Sequence, residues 1–568
     1  MPSRQGKRRQ SALPVKELPV SRTAAVFAFL ERRGGVVALL LVLLASARIV
    51  ATYTVFNHTF DEPAHIACGM EFLDHKTYRL EPQHPPLARM AAALGPYLLG
   101  ARYPGAMGAG EWEMLQEGLA TLSYGHQYDR NLAAARLGIL PFFWVGCLAV
   151  YWWGLRYFDR PVAAIAVFLF SFLPAVLAHA GLATTDMALT AFLTLAFLRA
   201  AIWLESPTPA NALWFGAAGA LAVYSKFSSL AFFPASAAVA LAWYLAVERP
   251  KLRWLAAAAR QRIATFALAA GVVMLLVWAG YRFSFGPVSF ASMRLPAPEL
   301  FAGIQQVQQH DAKGHLSYFL GDMRYTGWWY YYPVVLAVKT PLGFLLLLGA
   351  GFVLARRKSG FAKRVRLPLA FAGGILLVGM ASRINIGSRH VLPVYAAFSL
   401  VAAAGAAEFL RGASTANWVR FGVLLAGLWF AASSALSHPD YLAYFNKLAG
   451  NHPENIVVDS DLDWGQDAKR LGQRLRELGA PYVRFAGFVN ARFDDLGFPP
   501  VYAVRADAPT PGWNAISVSN LKLIRLGLYA QQREMQLWPE QMQPEERVGK
   551  TIYLYYVPVP AGVRLPGR

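Results

Sequence analysis

The groups best placed to move protons or hold anions begin at Phe60-Asp61-Glu62-Pro63, directly after the first long apolar run at 35–56. Adjacent carboxylates where a chain leaves a membrane are costly unless they are solvated, paired or working. In that place a carboxylate can act as a general base towards a hydroxyl or an amine. The competing reading is a helix N-terminus, because acids ahead of Pro63 would cap the next helix and favour its dipole. One of the pair can cap while the other works. Thr184-Thr185-Asp186 closes the third apolar run. Asp186 either caps the following helix or converges with Asp61, to set a general base or to hold a divalent cation.

Basic groups form a second set. Lys226 follows Tyr224-Ser225, Arg324 precedes the aromatic cluster 328–332, and Arg383, Arg389 and His390 lie in 382–390. With His84 of Gln83-His84-Pro85-Pro86 they can form an anion site at head-group depth. The alternative is snorkelling side chains that meet lipid phosphates without specificity. Asp459-Ser460-Asp461-Leu462-Asp463 has the alternating acids of a calcium loop, but the stretch lacks Gly at the sixth place and Glu at the twelfth. It reads as a strand-to-helix turn with Asp caps.

These residues need a frame, and composition supplies one. The 568 residues are 56% hydrophobic and 15% charged, which excludes an ordinary soluble protein. Apolar runs of about 20 residues, each enough for one crossing, recur at 35–56, 133–154, 161–181, 186–204, 211–224, 228–247, 263–281, 331–355, 367–381, 391–409 and 419–437. The fold class is a polytopic α-helical membrane protein of about eleven spans. The net charge of +21 points to anionic lipid rather than nucleic acid. Lys7, Arg8, Arg9, Arg32, Arg33 and the short loops 249–262, 356–366 and 411–420 carry it in the positive-inside pattern. The N-terminus is then cytoplasmic, and 57–131, 282–330, 382–390 and the C-terminal part face outward. The first outer loop agrees, with nine acidic and five basic residues. The first apolar run is long and has no small-residue cleavage site, so it is retained as a span. No disulfide is expected between Cys68 and Cys147.

The domains are a basic cytoplasmic tail (1–33), a membrane domain (34–437) and a small outer α/β domain (438–568). Loop 57–131 carries amphipathic helices, one with Ile66, Met70 and Leu73 and another with Trp112, Leu115, Leu119 and Leu122. They lie in the interface or pack on the spans. Loop 282–330 is the second large outer loop. In the outer domain 455–458 and 482–486 read as strands, and 467–478 as a helix with Leu471, Leu475 and Leu478 on one face.

Phe60-Asp61-Glu62 after the first span, His84-Pro85-Pro86-Leu87, Thr185-Asp186 and Arg389-His390-Val391-Leu392-Pro393 together resemble one family. It is the C-fold glycosyltransferases of family 39, which include protein O-mannosyltransferases and bacterial aminoarabinose transferases of lipid A. The resemblance covers roughly 35–410. The stretch with Tyr444-Phe445-Asn446 and Asp463-Trp464-Gly465-Gln466-Asp467 looks like one found in bacterial members. The resemblance implies sugar transfer, with inversion, from a polyprenyl-phosphate donor to a protein, lipid or glycan acceptor on the outer face of the cell membrane. Asp61 would match the catalytic base, Asp186 the second acidic position, and Glu62 would orient the site. His84, Lys226, Arg324, Arg389 and His390 would hold the donor phosphate. The aminoarabinose transferases have Glu-Lys where this chain has Gln83-His84, which weakens a metal site there. Metal dependence stays open, with a divalent cation as the one cofactor considered. The rival is a lipid or lipid-sugar flippase, which would place ionisable groups at mid-membrane and show inverted repeats. Few charges lie in the span centres, and no repeat is evident. A third reading makes the outer domain an assembly or acceptor-docking module on an inactive membrane half.

Overall fold

The computed structural model describes residues 22–560, apart from 104, 106–109, 290, 506–507 and 531–536. Positions 1–21 of the basic tail lie outside the described residues, and 22–33 already belong to the helix Arg22–Val50. The apolar runs become helices because a bilayer offers no partner for backbone N–H and C=O groups. Among the described residues eight helices are long and apolar enough to cross, or up to ten if each of two bent pairs is one span. The remaining expected span, 211–224, is the 17-residue helix Pro209–Ser225, about 25 Å long against a core of about 30 Å. The count is therefore eight to ten rather than eleven.

The bends have local causes. Arg160–Ser171 and Pro174–Ala180 meet at 68°, and Tyr331–Lys339 and Leu342–Arg357 at 119°. Pro174 and Pro341 sit at those breaks, each without an N–H to give and each forcing an extended residue before it. Asp186–Glu205 and Val394–Arg411 are buried along most of their length and form the centre of the bundle. Leu241, Phe266, Leu275, Trp418 and Leu428 are exposed on the outer helices, where lipid would cover them.

Expected basic loops shrink to turns. Most of 249–262 is the start of Leu252–Gly280, and 356–366 reduces to Lys358 between two helices. At this end Arg156–Glu205, Arg366–Glu248, Lys358–Glu408 and Arg411–Asp159 link neighbouring helices.

The opposite end carries the chemistry. The segment 57–131 folds into Glu62–Met70, Pro86–Leu98 and Glu111–Leu122. All nine residues of the first helix are buried, so it packs within the fold instead of lying flat in the interface. Leu115, Leu119 and Leu122 are buried as their spacing predicts, whereas Trp112 is exposed. The C-terminal part forms a five-stranded mixed sheet. Its order is Val501–Tyr502, Val483–Ala486, Gly512–Ser517, Ile552–Val557, Glu546–Val548. The helix Ala468–Glu477 covers it through Leu471 and Leu475. The run 455–458 is not a strand. Val457 joins the membrane-half core and Val458 packs with Tyr318, so this apolar stretch is buried without a ladder partner.

Gly118 lets Glu111–Leu122 cross Glu62–Met70 at backbone contact, because a Cβ there would overlap the Pro63 carbonyl oxygen. Gly118→Ala should therefore destabilise the protein by about 1–3 kcal/mol and lower its thermal midpoint in detergent. Gly349→Ala, whose Cβ would meet open space, should leave the midpoint unchanged or raise it slightly.

Candidate active site

Asp61 and Glu62 divide the two roles that their spacing left open. Asp61 precedes the helix Glu62–Met70 but makes no cap hydrogen bond. Its Oδ2 instead accepts from Arg389 Nη1 at 2.9 Å, and its side chain stays about a third exposed. Glu62 is fully buried and fully engaged. It accepts from Thr59 N at 2.7 Å, Ala183 N at 2.8 Å, and Arg136 Nε and Nη2 at 2.9 Å each. Those bonds hold its carboxyl below the usual range against the opposing effect of burial. Glu62 therefore positions the site and does not face a substrate.

Asp186 opens its helix without capping it. Its Oδ1 accepts from Lys226 Nζ at 2.6 Å, while the buried Oδ2 has no partner among the described residues. Lys226 sits at the break between Pro209–Ser225 and Ser229–Glu248. His390, in the 3-10 turn Ser388–Val391, lies between the rings of Phe232 and Tyr332, at 5.6 and 5.9 Å. Burial and the Lys226 charge push its pKa down to about 3, so it borders the Lys226–Asp186 pair as a neutral ring.

His84 departs from its expected part. It bonds Arg89 Nη2 at 3.2 Å and Glu81 Oε2 at 3.4 Å, and burial keeps its pKa below the ordinary value. It adds no positive charge at neutral pH. Arg324 departs further. On the exposed hairpin strand Asp322–Arg324 it pairs with Asp322 and stacks on Trp328, and it does not join the Asp61–Arg389 cluster. Arg383 is turned to the surface, where its Nη1 donates to the Ala312 carbonyl at 3.2 Å, so of the expected set Lys226 and Arg389 remain for an anion. Arg89, fully buried and paired with Glu81, is spent on structure.

The C-terminal part supplies groups that spacing alone did not assign. Trp464 lies under the Arg389 guanidinium, 4.1 Å from its ring centre. Asp461 accepts from Ser388 N at 3.0 Å and Ser388 Oγ at 2.7 Å, next to Arg389. Phe60, next to Asp61, donates its N–H to Trp464 O at 3.0 Å and accepts from Asn490 Nδ2 at 2.9 Å. Asp459 has a left-handed backbone (φ 58°), strained for a non-glycine residue. Burial raises its pKa to about 6, Arg389 opposing and Asp61 adding to the rise. The acid-rich stretch 459–467 was the available signal, but capping accounts for only part of it.

Asp61 and Asp186 are each held by a cation, and among the described residues no three His, Cys, Asp or Glu side chains converge.

Two cations and a part-exposed carboxylate, gathered at one end of a polytopic bundle, suit a phosphate arriving from the bilayer and a nucleophile arriving from water. This is the layout of a membrane-embedded group transferase. Residues 38–287 match the family model described as dolichyl-phosphate-mannose-protein mannosyltransferase. The protein is an integral-membrane glycosyltransferase that draws on a polyprenyl-phosphate-linked sugar. Among solved structures, the chain is similar to ArnT from Cupriavidus metallidurans bound to undecaprenyl phosphate, at 14% identity and a TM-score of 0.48, over 92% of this chain and 98% of that one. It is also similar to the oligosaccharyltransferase AglB from Archaeoglobus fulgidus in complex with an inhibitory peptide and a dolichol-phosphate, at 12% identity and a TM-score of 0.43, over 87% and 71%. No curated protein sequence matches the chain.

Removing Glu62 alone strands Arg136 in the interior, and such breaks cost about 3–5 kcal/mol. Glu62→Ala should unfold far earlier on heating than Glu62→Met combined with Arg136→Met. Asp459 generates a pH test. Its folded pKa lies above its unfolded one, so its charge penalises the fold fully above pH 6 and not at all well below 4. Asp459→Asn should raise the thermal midpoint at pH 7.5, and the gain should fade as pH falls from 6 to 4.

Proposed function

We propose that the protein transfers a sugar from its polyprenyl-phosphate carrier to an acceptor on the outer membrane face, with Asp61 as base and inversion at the anomeric carbon. The observation that carries this reading is the Asp61–Arg389 ion pair at the solvent edge of the bundle. An arginine fork suits a phosphate as well as it suits a carboxylate. A donor phosphate that engages Arg389 draws it from Asp61, and the freed carboxylate becomes the stronger base. Lys226 shares the phosphate charge in this reading: Asp186 holds its ammonium in place and feels the Arg389 charge as well.

The acceptor O–H or N–H then gives its proton to Asp61. Its heteroatom bonds the anomeric carbon from the face opposite the phosphate. The bond from that carbon to the phosphate oxygen breaks, and its electron pair leaves on the polyprenyl phosphate. Lys226 and Arg389 stabilise that departing charge. A single displacement of this kind inverts configuration. The short basic turns at one end of the bundle support a cytoplasmic side there, and with it an outward-facing site and C-terminal sheet.

Radiolabelled polyprenyl-phosphate sugars and purified protein in nanodiscs test this reading. Asp61→Asn should cut label loss from the donor by about 10²–10⁴-fold, the usual range for a general base, while donor still binds. Arg389→Ala should weaken donor binding as well as turnover. Unchanged turnover in Asp61→Asn overturns the assignment, and lipid movement between leaflets without sugar release points to a flippase.

A further inference from the structure

At the same end of the bundle the surface opens into a cavity of about 450 Å³. Among its walls are Gln83, Gln306, Gln309, His310, His315 and Tyr325. The charges of both Arg389 and Asp61 act on His315 in its wall, and the His315 N–H donates to the Arg383 carbonyl in the segment that carries Arg389. The volume falls within the range of small-molecule sites, about 300–1,000 Å³.

The lining has a particular chemistry. No carboxylate contributes to it, and Lys313 is the one cation among its lining residues. A phosphate or an acidic peptide would ask for more positive charge, and an isoprenoid chain for more than the lone aliphatic Leu316. What is present is amide and imidazole. Each glutamine offers both donors and an acceptor, which is the pairing that a sugar hydroxyl requires. Burial and His310 push the His315 pKa down to about 4, so its ring is neutral and can both give and accept a hydrogen bond. The rings of His310 and His315 stack at 5.5 Å, and His310 Nδ1 lies 3.2 Å from Gln83 Nε2, which sets the orientation of both groups.

Tyr325 is exposed at the edge, with a ring face able to receive the apolar side of a pyranose. Its position depends on Gly314. That residue has φ +78°, and a Cβ there would overlap the Tyr325 carbonyl oxygen. The backbones of 314 and 325, both of which line the cavity, therefore approach closely there.

We infer that this cavity is the acceptor subsite and that the acceptor is a neutral glycan, presented by one hydroxyl to Asp61. The inference rests on the transferase reading and narrows its acceptor to one chemical class. The presented hydroxyl loses its proton to Asp61 as its oxygen bonds the donor's anomeric carbon. The bond from that carbon to the phosphate oxygen breaks, and polyprenyl phosphate leaves with the electron pair.

Full-length protein in nanodiscs, probed by saturation-transfer NMR, tests it without any need for turnover. The probes are maltose, cellobiose and mannobiose, with inorganic phosphate and a Ser/Thr-rich peptide as the other chemistries. At least one disaccharide should bind, and Gln309→Ala and Tyr325→Ala should each weaken it by tenfold or more. Asp61→Asn should bind it normally. Donor affinity, measured separately with labelled lipid, should not change in the two cavity variants. Failure of every disaccharide, preference for the peptide, or indifference to both substitutions overturns the inference. Weakened donor affinity in Tyr325→Ala also overturns it, since the same sugar chemistry then belongs to the donor. Asp61-dependent donor turnover with no glycan binding leaves the transferase reading standing and removes this one alone.

Discussion

The buried Glu62–Arg136 pair is the constraint on which the reaction centre depends. A desolvated charge must find its partners inside the fold, and several kcal/mol ride on each that does not. Glu62 collects Thr59, Ala183 and Arg136, while Arg136 also donates to the carbonyls of Tyr53 at 3.1 Å and Asn57 at 2.8 Å. One ion pair thereby ties the end of the first span, the turn that presents Asp61, and the 181–185 loop that leads into Asp186. Neither working carboxylate can shift without opening it.

A second set of bonds fixes Arg389 from the other side. Asp461 holds Ser388, Trp464 underlies the guanidinium, and Trp464 and Asn490 hold the backbone of Phe60. The C-terminal domain thus contributes to the walls of the reaction centre, beyond any part it plays in guiding an acceptor. Arg389 and Asp61, far apart in sequence, meet because residues 459–490 grip the neighbour of each. A loop between two spans has few contacts of its own to set an ion pair to hydrogen-bond distance. The sheet domain provides that rigidity.

How much of this was legible in the sequence follows from the kind of signal each feature leaves. Long apolar runs are long-range patterns, and they placed the helices and the polar end. Asp61, Asp186, Lys226 and Arg389 drew attention because charge at a membrane boundary is rare enough to stand out, and the structure pairs them as Asp61–Arg389 and Asp186–Lys226. Arg324 was drawn in by the same logic, but a charge on an exposed hairpin needs no functional partner when Asp322 is two residues away. The breaks at Pro174 and Pro341 were hidden, because an apolar run looks the same whether it crosses straight or turns back. The stretch 455–458 failed as a strand for a related reason. β-branched residues report burial, and burial against the membrane half satisfies them without a ladder.

What spacing could not show was which member of Asp61-Glu62 would work. Both are acids at a helix start, and both could cap or react. The difference arises from tertiary partners more than 70 positions away, since Arg136 neutralises one and Arg389 the other. Arg136 is buried with five acceptors around it and cannot be released, so Glu62 is fixed in its ionised, structural state. Arg389 has Asp61 on one side and an aromatic face on the other, and the side chain of Asp61 still reaches solvent. An anion from the lipid can compete for Arg389 but not for Arg136. That difference in how exchangeable the partner is favours Asp61 over Glu62 as the base of the proposed transfer, with Glu62 as its anchor.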